Sequence, residues 1–211
     1  MNKDTKVIDL EKVVIKFAGD SGDGMQLTGS QFTETSALLG NDLATFPDFP
    51  AEIRAPLGTV AGVSGFQVHI GNTEINTPGD VADVLVAMNP AALKANKNWI
   101  KKGGTIIINS DSFAKKDLNK AGYENNPLED GSFSGFNIVE APIANLTQET
   151  LKDSGLDGKS IRRAKNMFAL GMVYWMFNRP MERTKKFLQD KFESKPLVVE
   201  SNIKVLHAGY N

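Results

Sequence analysis

Two short runs constrain this chain more than any other feature. Val81-Ala82-Asp83-Val84-Leu85-Val86-Ala87-Met88 is nearly continuous in apolar residues, and Thr105-Ile106-Ile107-Ile108-Asn109 is another such run. A strand without alternation has no face to give to water, so each run is expected inside a sheet covered on both sides. Sheets of that kind are parallel, and the crossover helices that join their strands supply the cover.

The rest of the sequence offers those helices. Val13-Val14-Ile15-Lys16-Phe17-Ala18 is a β-branched strand closed by Gly19, and Met25, Leu27, Phe32, Ala37, Leu38 and Leu39 fit a helix ending at Gly40. Residues 46–65, rich in proline and glycine, read as an ordered irregular loop, and residues 65–71 alternate as a half-buried strand. Pro90 opens a helix over 90–101 that Gly103-Gly104 would stop. Residues 110–135 read as a polar surface excursion before a last strand at 136–140, which Pro142 ends. Helices are expected at 146–153, 160–178 and 181–192. Strands alternating with helices imply an α/β, Rossmann-like, mainly parallel sheet with helices on both faces. A single domain over 1–211 is expected, with 1–11 and 198–211 as flexible or linker segments.

Composition narrows the function. The chain has 211 residues, 24 Lys and Arg against 25 Asp and Glu, and 41% apolar residues. That is enough for a full core, and the balance of charge lacks the basic field of a nucleic-acid or anionic-membrane surface. With no cysteine, disulfides, thiolate nucleophiles and cysteine-held iron–sulfur clusters are excluded. Residues 1–12 lack the apolar centre of a signal peptide, and the longest apolar run, 168–177, is too short to cross a bilayer. The expectation is a soluble, cytoplasmic chain.

The sharpest local feature is Gly19-Asp20-Ser21-Gly22-Asp23-Gly24, set between a strand and a helix. Glycines there allow a tight turn and expose amides at a positive helix end. The spacing differs from the dinucleotide fingerprint, and Asp20 and Asp23 would repel a pyrophosphate. Three readings stand: a bound nucleotide, a structural turn, or a loop that contacts a partner's ligand. In Phe49-Pro50-Ala51-Glu52-Ile53-Arg54-Ala55-Pro56, prolines stiffen a loop from which Glu52 and Arg54 project on one side. Arg54 suits a carboxylate or phosphate, and an internal pair with Glu52 or Asp48 explains it equally well. His69 reads as a satisfied strand histidine and His207 as part of a mobile tail. No catalytic set and no metal spacing emerges.

Four blocks, VVIKFAGDSGDGMQLTG (13–29), FPAEIRAPLGTVAGVSGFQV (49–68), DVADVLVAMNPAAL (80–93) and KNMFALG (165–171), resemble the γ domain of thiamine-dependent 2-oxoacid:ferredoxin oxidoreductases. The form they resemble is the one fused to the N-terminus of the α subunit, as in the 2-oxoglutarate enzymes. Separate γ subunits carry a GxGGQG loop, where Ser21 and Asp23 stand here, and a PE-x-R-G-G motif, where Ala55-Pro56 replace the glycines.

The resemblance implies oxidative decarboxylation of a 2-oxoacid, with 2-oxoglutarate favoured, to an acyl-CoA, with electrons passed to ferredoxin or a related acceptor. It implies that thiamine diphosphate, magnesium and iron–sulfur clusters sit on the α domain and the β subunit as partners. The chain alone would hold no cofactor and have no activity. Residues 19–24, Glu52 and Arg54 would face the active-site or CoA region. The alternatives are a stand-alone nucleotide-binding oxidoreductase and a non-catalytic assembly module.

Overall fold

A computed structural model describes residues 8–49 and 62–211. Among these residues, six strands form one sheet: β1 (Lys12–Asp20), β2 (Asp42–Asp48), β3 (Val63–Gly71), β4 (Ala82–Ala87), β5 (Ile100–Asn109) and β6 (Asn137–Ala141). Their order is β2-β3-β1-β4-β5-β6. β1, β4, β5 and β6 pair in parallel, and β3 runs antiparallel to both of its neighbours, β1 and β2. The two unbroken apolar runs are β4 and β5, which lie inside the parallel half, as a strand buried on both faces must.

Among the described residues, eight helices cover the faces: α1 (Met25–Leu38), α2 (Pro90–Asn96), α3 (Lys115–Lys120), α4 (Ile143–Thr150), α5 (Gly158–Arg163), α6 (Lys165–Met176), α7 (Glu182–Lys191) and α8 (Pro196–Tyr210). One face carries Val13, Ile15 and Phe17 of β1, Val68 and Ile70 of β3, and Val84 and Val86 of β4 against α1, α6 and α8. Phe32 of α1 is its hub, with ring centroids 6.1 Å from Phe17, 6.1 Å from Tyr174 and 5.8 Å from Phe177. The other face buries Leu85, Ala87, Ile106 and Ile108 under Leu93 of α2, Leu118 of α3, Phe113 and Phe133.

Several expectations need correction. Part of the supposed loop at 46–65 is sheet: Phe46–Asp48 belong to β2 and Val63–Gly65 to β3. Pro47 is tolerated because β2 is an edge strand that can spare an amide. The helix predicted over 90–101 ends at Asn96, a single 3₁₀ turn covers Lys97–Trp99, and β5 already starts at Ile100. Gly103 and Gly104 therefore lie inside β5, beside a register shift against β4; a Cβ on Gly104 would stand 2.8 Å from the Lys101 carbonyl oxygen. The surface excursion at 110–135 holds α3 and buries Phe113, Leu118 and Phe133. The helix expected over 160–178 is two, α5 and α6, meeting at Ala164.

The largest correction is the tail. Of the residues expected to be a flexible or linker segment, 198–211, all but Asn211 belong to α8, which buries Ser201, Val205 and Leu206. The contact is backbone to backbone. A Cβ on Gly171 of α6 would fall on the Leu206 carbonyl oxygen, and one on Gly209 would fall on the Phe168 carbonyl oxygen. Two glycines, one per helix, let the axes close to a distance that side chains would forbid. His207 accordingly sits on a packed helix.

Candidate functional site

The C-terminal ends of β1 and β4 share one edge of the sheet, and α1 and α2 begin there. In open α/β sheets this edge is where ligands bind. The glycine segment is the β1–α1 turn. The Asp23 amide donates to the Asp20 carbonyl oxygen (2.9 Å), and the Asp23 carboxylate folds back to accept from the Asp20 amide (3.1 Å). A Cβ on Gly19 would meet Asp23 Oδ2 at 2.8 Å and displace the carboxylate from this bond. Gly24 caps α1 with φ +74°, in the left-handed region, and its Cα faces the Asn166 amide.

Each acidic residue of the turn has an assigned partner. Asp23 Oδ1 pairs with Lys165 Nζ at 2.8 Å, at the start of α6, and both side chains are largely buried. Asp20 Oδ1 accepts from Asn89 Nδ2 (2.9 Å), while Asn89 Oδ1 caps α2 by accepting from the Ala92 amide (2.8 Å). Asp23 is thus matched by a cation, whereas Asp20, tied to the neighbouring turn by a neutral amide, keeps its charge. α1 itself has no side-chain cap and no acid in its first turn. Its first amides have no helical acceptor and keep their capacity to donate.

The turn is also tied to the second sequence motif. The Ser21 amide donates to the Gly62 carbonyl oxygen (3.2 Å). Gln26 Nε2 reaches the carbonyl oxygens of Asp48 (3.2 Å) and Gly65 (2.6 Å). These residues flank 50–61, and Glu52 and Arg54 lie outside the described residues.

Next to the turn is a pocket of about 330 Å³, whose wall includes Gly22, Gly24, Arg163, Asn166 and Lys195. Sequence reasoning missed this set. Arg163 and Lys195 carry no local signal in the sequence, and Asn166 enters only within the KNMFALG block. Their nearness to Gly24 depends on α6 starting beside α1, which no local pattern announces. On the pocket's rim, Ser160 donates to Asp157 (2.6 Å), and that bond above all holds the Asp157 carboxyl below its usual range. His69 fulfils its structural reading, with Nδ1 2.8 Å from the Thr77 carbonyl oxygen. Among the described residues no three His, Cys, Asp or Glu side chains gather as a metal site, and no helix is long and apolar enough to cross a membrane.

Known proteins resemble this chain along most of its length. The family model for pyruvate ferredoxin/flavodoxin oxidoreductase matches residues 14–211. The 2-oxoglutarate oxidoreductase subunit KorA of Mycobacterium tuberculosis is 54% identical over 202 residues, covering 96% of this chain and 31% of that protein. The common gamma subunit of the pyruvate/ketoisovalerate oxidoreductases of Thermococcus litoralis is 26% identical over 77% of this chain and 98% of its own length. Among solved structures, the 2-oxoglutarate:ferredoxin oxidoreductase of Magnetococcus marinus, with 2-oxoglutarate, coenzyme A and succinyl-CoA bound, superposes with a TM-score of 0.70 at 27% identity, covering 95% of this chain and 31% of that one. The gamma subunit of the keto/oxoacid ferredoxin oxidoreductase of Geobacter sulfurreducens shares the fold, with a TM-score of 0.65 at 19% identity over 94% of each chain. The chain spans about a third of the length of KorA and of the ketoisovalerate oxidoreductase subunit VorA of Methanothermobacter thermautotrophicus, 31% and 36% respectively.

Proposed function

The chain belongs to the pyruvate ferredoxin/flavodoxin oxidoreductase family, and from that premise we propose that it is the γ domain of an enzyme that converts 2-oxoglutarate and CoA to succinyl-CoA and CO₂, passing electrons to ferredoxin or a similar acceptor. The 54% identity to KorA over nearly the whole chain carries the choice of 2-oxoglutarate. Thiamine diphosphate, magnesium and iron–sulfur clusters belong, in this reading, to an α domain and a β subunit. The absence of cysteine supports that for the clusters, since their usual ligands are cysteine thiolates.

The domain's own part is to shape the CoA side of the active site. Residues Gly19, Asp20, Ser21, Gly22, Asp23 and Gly24 would face it, with α1's free amides presented to negative charge. Glu52 and Arg54 would join them, and the bonds from Ser21 and Gln26 to residues beside 50–61 support placing the two motifs together.

Two measurements test the proposal. The purified 211-residue chain should reduce no acceptor with 2-oxoglutarate and CoA, and turnover like that of a complete enzyme would overturn the division of labour. In the complete enzyme, Arg54→Ala should raise KM for CoA about tenfold or more, the loss of one charge-assisted contact, with KM for 2-oxoglutarate little changed. Unchanged constants would favour a purely structural module.

A further inference from the structure

Exposed apolar side chains gather at the end of the sheet opposite the glycine turn. β1, β4 and β5 are adjacent and parallel, so their N-terminal ends share that edge. Val81 and Trp99 immediately precede Ala82 and Ile100, which pair across β4 and β5. Continuing the register of β1 on β4 back from Ile15 and Val84 sets Lys12 beside Val81, and Leu10 lies two residues before it. Leu10, Val81 and Trp99 are 51%, 42% and 55% exposed. Large apolar side chains scattered singly over a surface are ordinary, whereas three on the same edge of neighbouring strands make one strip, and tryptophan is a preferred anchor of protein contacts.

The charges along this edge are segregated. On the β1 side Asp9, Glu11 and Glu74 are exposed around Lys12, whose ammonium donates to the Glu74 carbonyl oxygen (2.9 Å), and Asp80 adjoins Val81. On the β5 side Lys97, Lys101 and Lys102 are all exposed. Lys101 pairs with Asp83 at 3.0 Å, whereas Asp9, Glu11, Asp80, Lys97 and Lys102 enter no ion pair among the described residues. An apolar strip with acids at one end and cations at the other is complementary to itself. A half-turn about an axis between Val81 and Trp99 lays Trp99 on Val81 of the other copy and sets each acidic end against a basic one, which is the isologous kind of contact that two-fold symmetry makes. A uniformly acidic or basic partner would match one end and repel the other. We propose that the N-terminal edge of β1, β4 and β5 is a two-fold contact between two copies of this chain, with Trp99 near its centre and Asp9 and Glu11 of one copy facing Lys97 and Lys102 of the other. The strip is small, so the dimer is weak. The glycine turn lies at the opposite, C-terminal end of β1, so the contact leaves it open and does not rest on the CoA reading.

Sedimentation velocity of the 211-residue chain, from about 10 μM to about 1 mM, spans the weak affinity that so small a contact allows and should show monomer passing into dimer. Trp175→Phe leaves Trp99 as the chain's one tryptophan, and its emission should shift to the blue over the same range. Lys97→Glu/Lys102→Glu puts acids at both ends of the strip, and Asp9→Lys/Glu11→Lys puts cations at both. Like charges then face each other, so each double variant should weaken the dimer about tenfold or more. An equimolar mixture of the two should dimerise as the parent does, because each supplies the charge that the other lacks. All four side chains are exposed, so the fold tolerates both changes. A chain that stays monomeric throughout, a dimer that survives both charge variants, or a mixture that fails to associate would overturn the contact. A monomeric chain whose charge variants instead fail to assemble into the complete enzyme would also overturn it, and would give this edge to the enzyme's other parts.

Discussion

Replacing Gly171 or Gly209 by alanine should destabilise the protein even though alanine is the better helix former. The intrinsic gain for Gly to Ala in a helix is about 1 kcal/mol. Against it stands a new Cβ on α6 that overlaps the Leu206 carbonyl oxygen and lies 2.9 Å from both Gly209 C and Tyr210 N, all backbone atoms that cannot rotate away. α8 must therefore move as a body. Overpacking of this kind costs about 1–3 kcal/mol, and a shift of several tenths of an ångström loosens Val205 and Leu206, both fully buried. Burial of two such side chains is worth about 3–6 kcal/mol, and losing a quarter of it adds roughly 1 kcal/mol. The balance is a net loss of about 2 kcal/mol. For a chain of this size, that lowers Tm by about 4–8 °C.

Circular dichroism melts and urea titrations of Gly171→Ala and Gly209→Ala would measure it. Gly135→Ala, with no atom within 4 Å of the added Cβ, is the control and should stay near neutral. The double variant should cost less than the sum, because the first displacement makes room for the second Cβ. Glycine variants as stable as the parent would show that α8 does not seat on α6, and would restore the reading of 198–211 as a linker.

Three further outcomes follow from the same geometry. Tyr174→Phe removes a hydroxyl bonded to Thr35 Oγ1 (2.9 Å), Thr184 Oγ1 (2.7 Å) and the Gln31 carbonyl oxygen (3.0 Å), all buried; urea unfolding should show a loss of about 1–3 kcal/mol. Asn89→Ala removes both the α2 cap and the bond to Asp20, so stability should fall by about 1 kcal/mol and the Ser21 and Gly22 amides should shift in NMR spectra. Burial, aided by the Asp130 charge, pushes the Tyr123 phenol up to about 12 from 10.0. A folded-state value above the unfolded one means that this contribution is intact below pH about 10 and is lost as pH rises through about 12. Tyrosinate absorbance and urea unfolding measured together across that window should track each other.

The sheet was the legible part, because buried parallel strands write themselves as unbroken apolar runs and β4 and β5 have no rival pattern. Helix ends were less so. Gly103-Gly104 looked like a stop signal, yet the chain uses the pair where β5 shifts register against β4. α8 was missed for a definable reason: its Gly209 reads as a terminator locally, whereas its use is to admit the Phe168 carbonyl of another helix. The glycine turn is legible in the sequence, but the neutralisation of Asp23 is not. Asp23 counts as a negative charge only until Lys165, which is 142 positions further along the chain, is placed 2.8 Å from it.

The same helix links that turn to the tail. α6 opens with Lys165 holding Asp23 and Asn166 lying under Gly24, and within two further turns it presents Phe168 and Gly171 to α8 and Tyr174 to α1 and α7. Val198 and Asn202 of α8 in turn line the pocket at the turn. The position of Asn166 against Gly24 thus depends on the close contact that Gly171 and Gly209 allow. A perturbation of that contact should reach the site without touching it. Gly209→Ala should shift the Gly22 and Gly24 amides in NMR spectra while Gly135→Ala leaves them in place. Unmoved amides in both variants would mean that α6 holds the turn by its first residues alone.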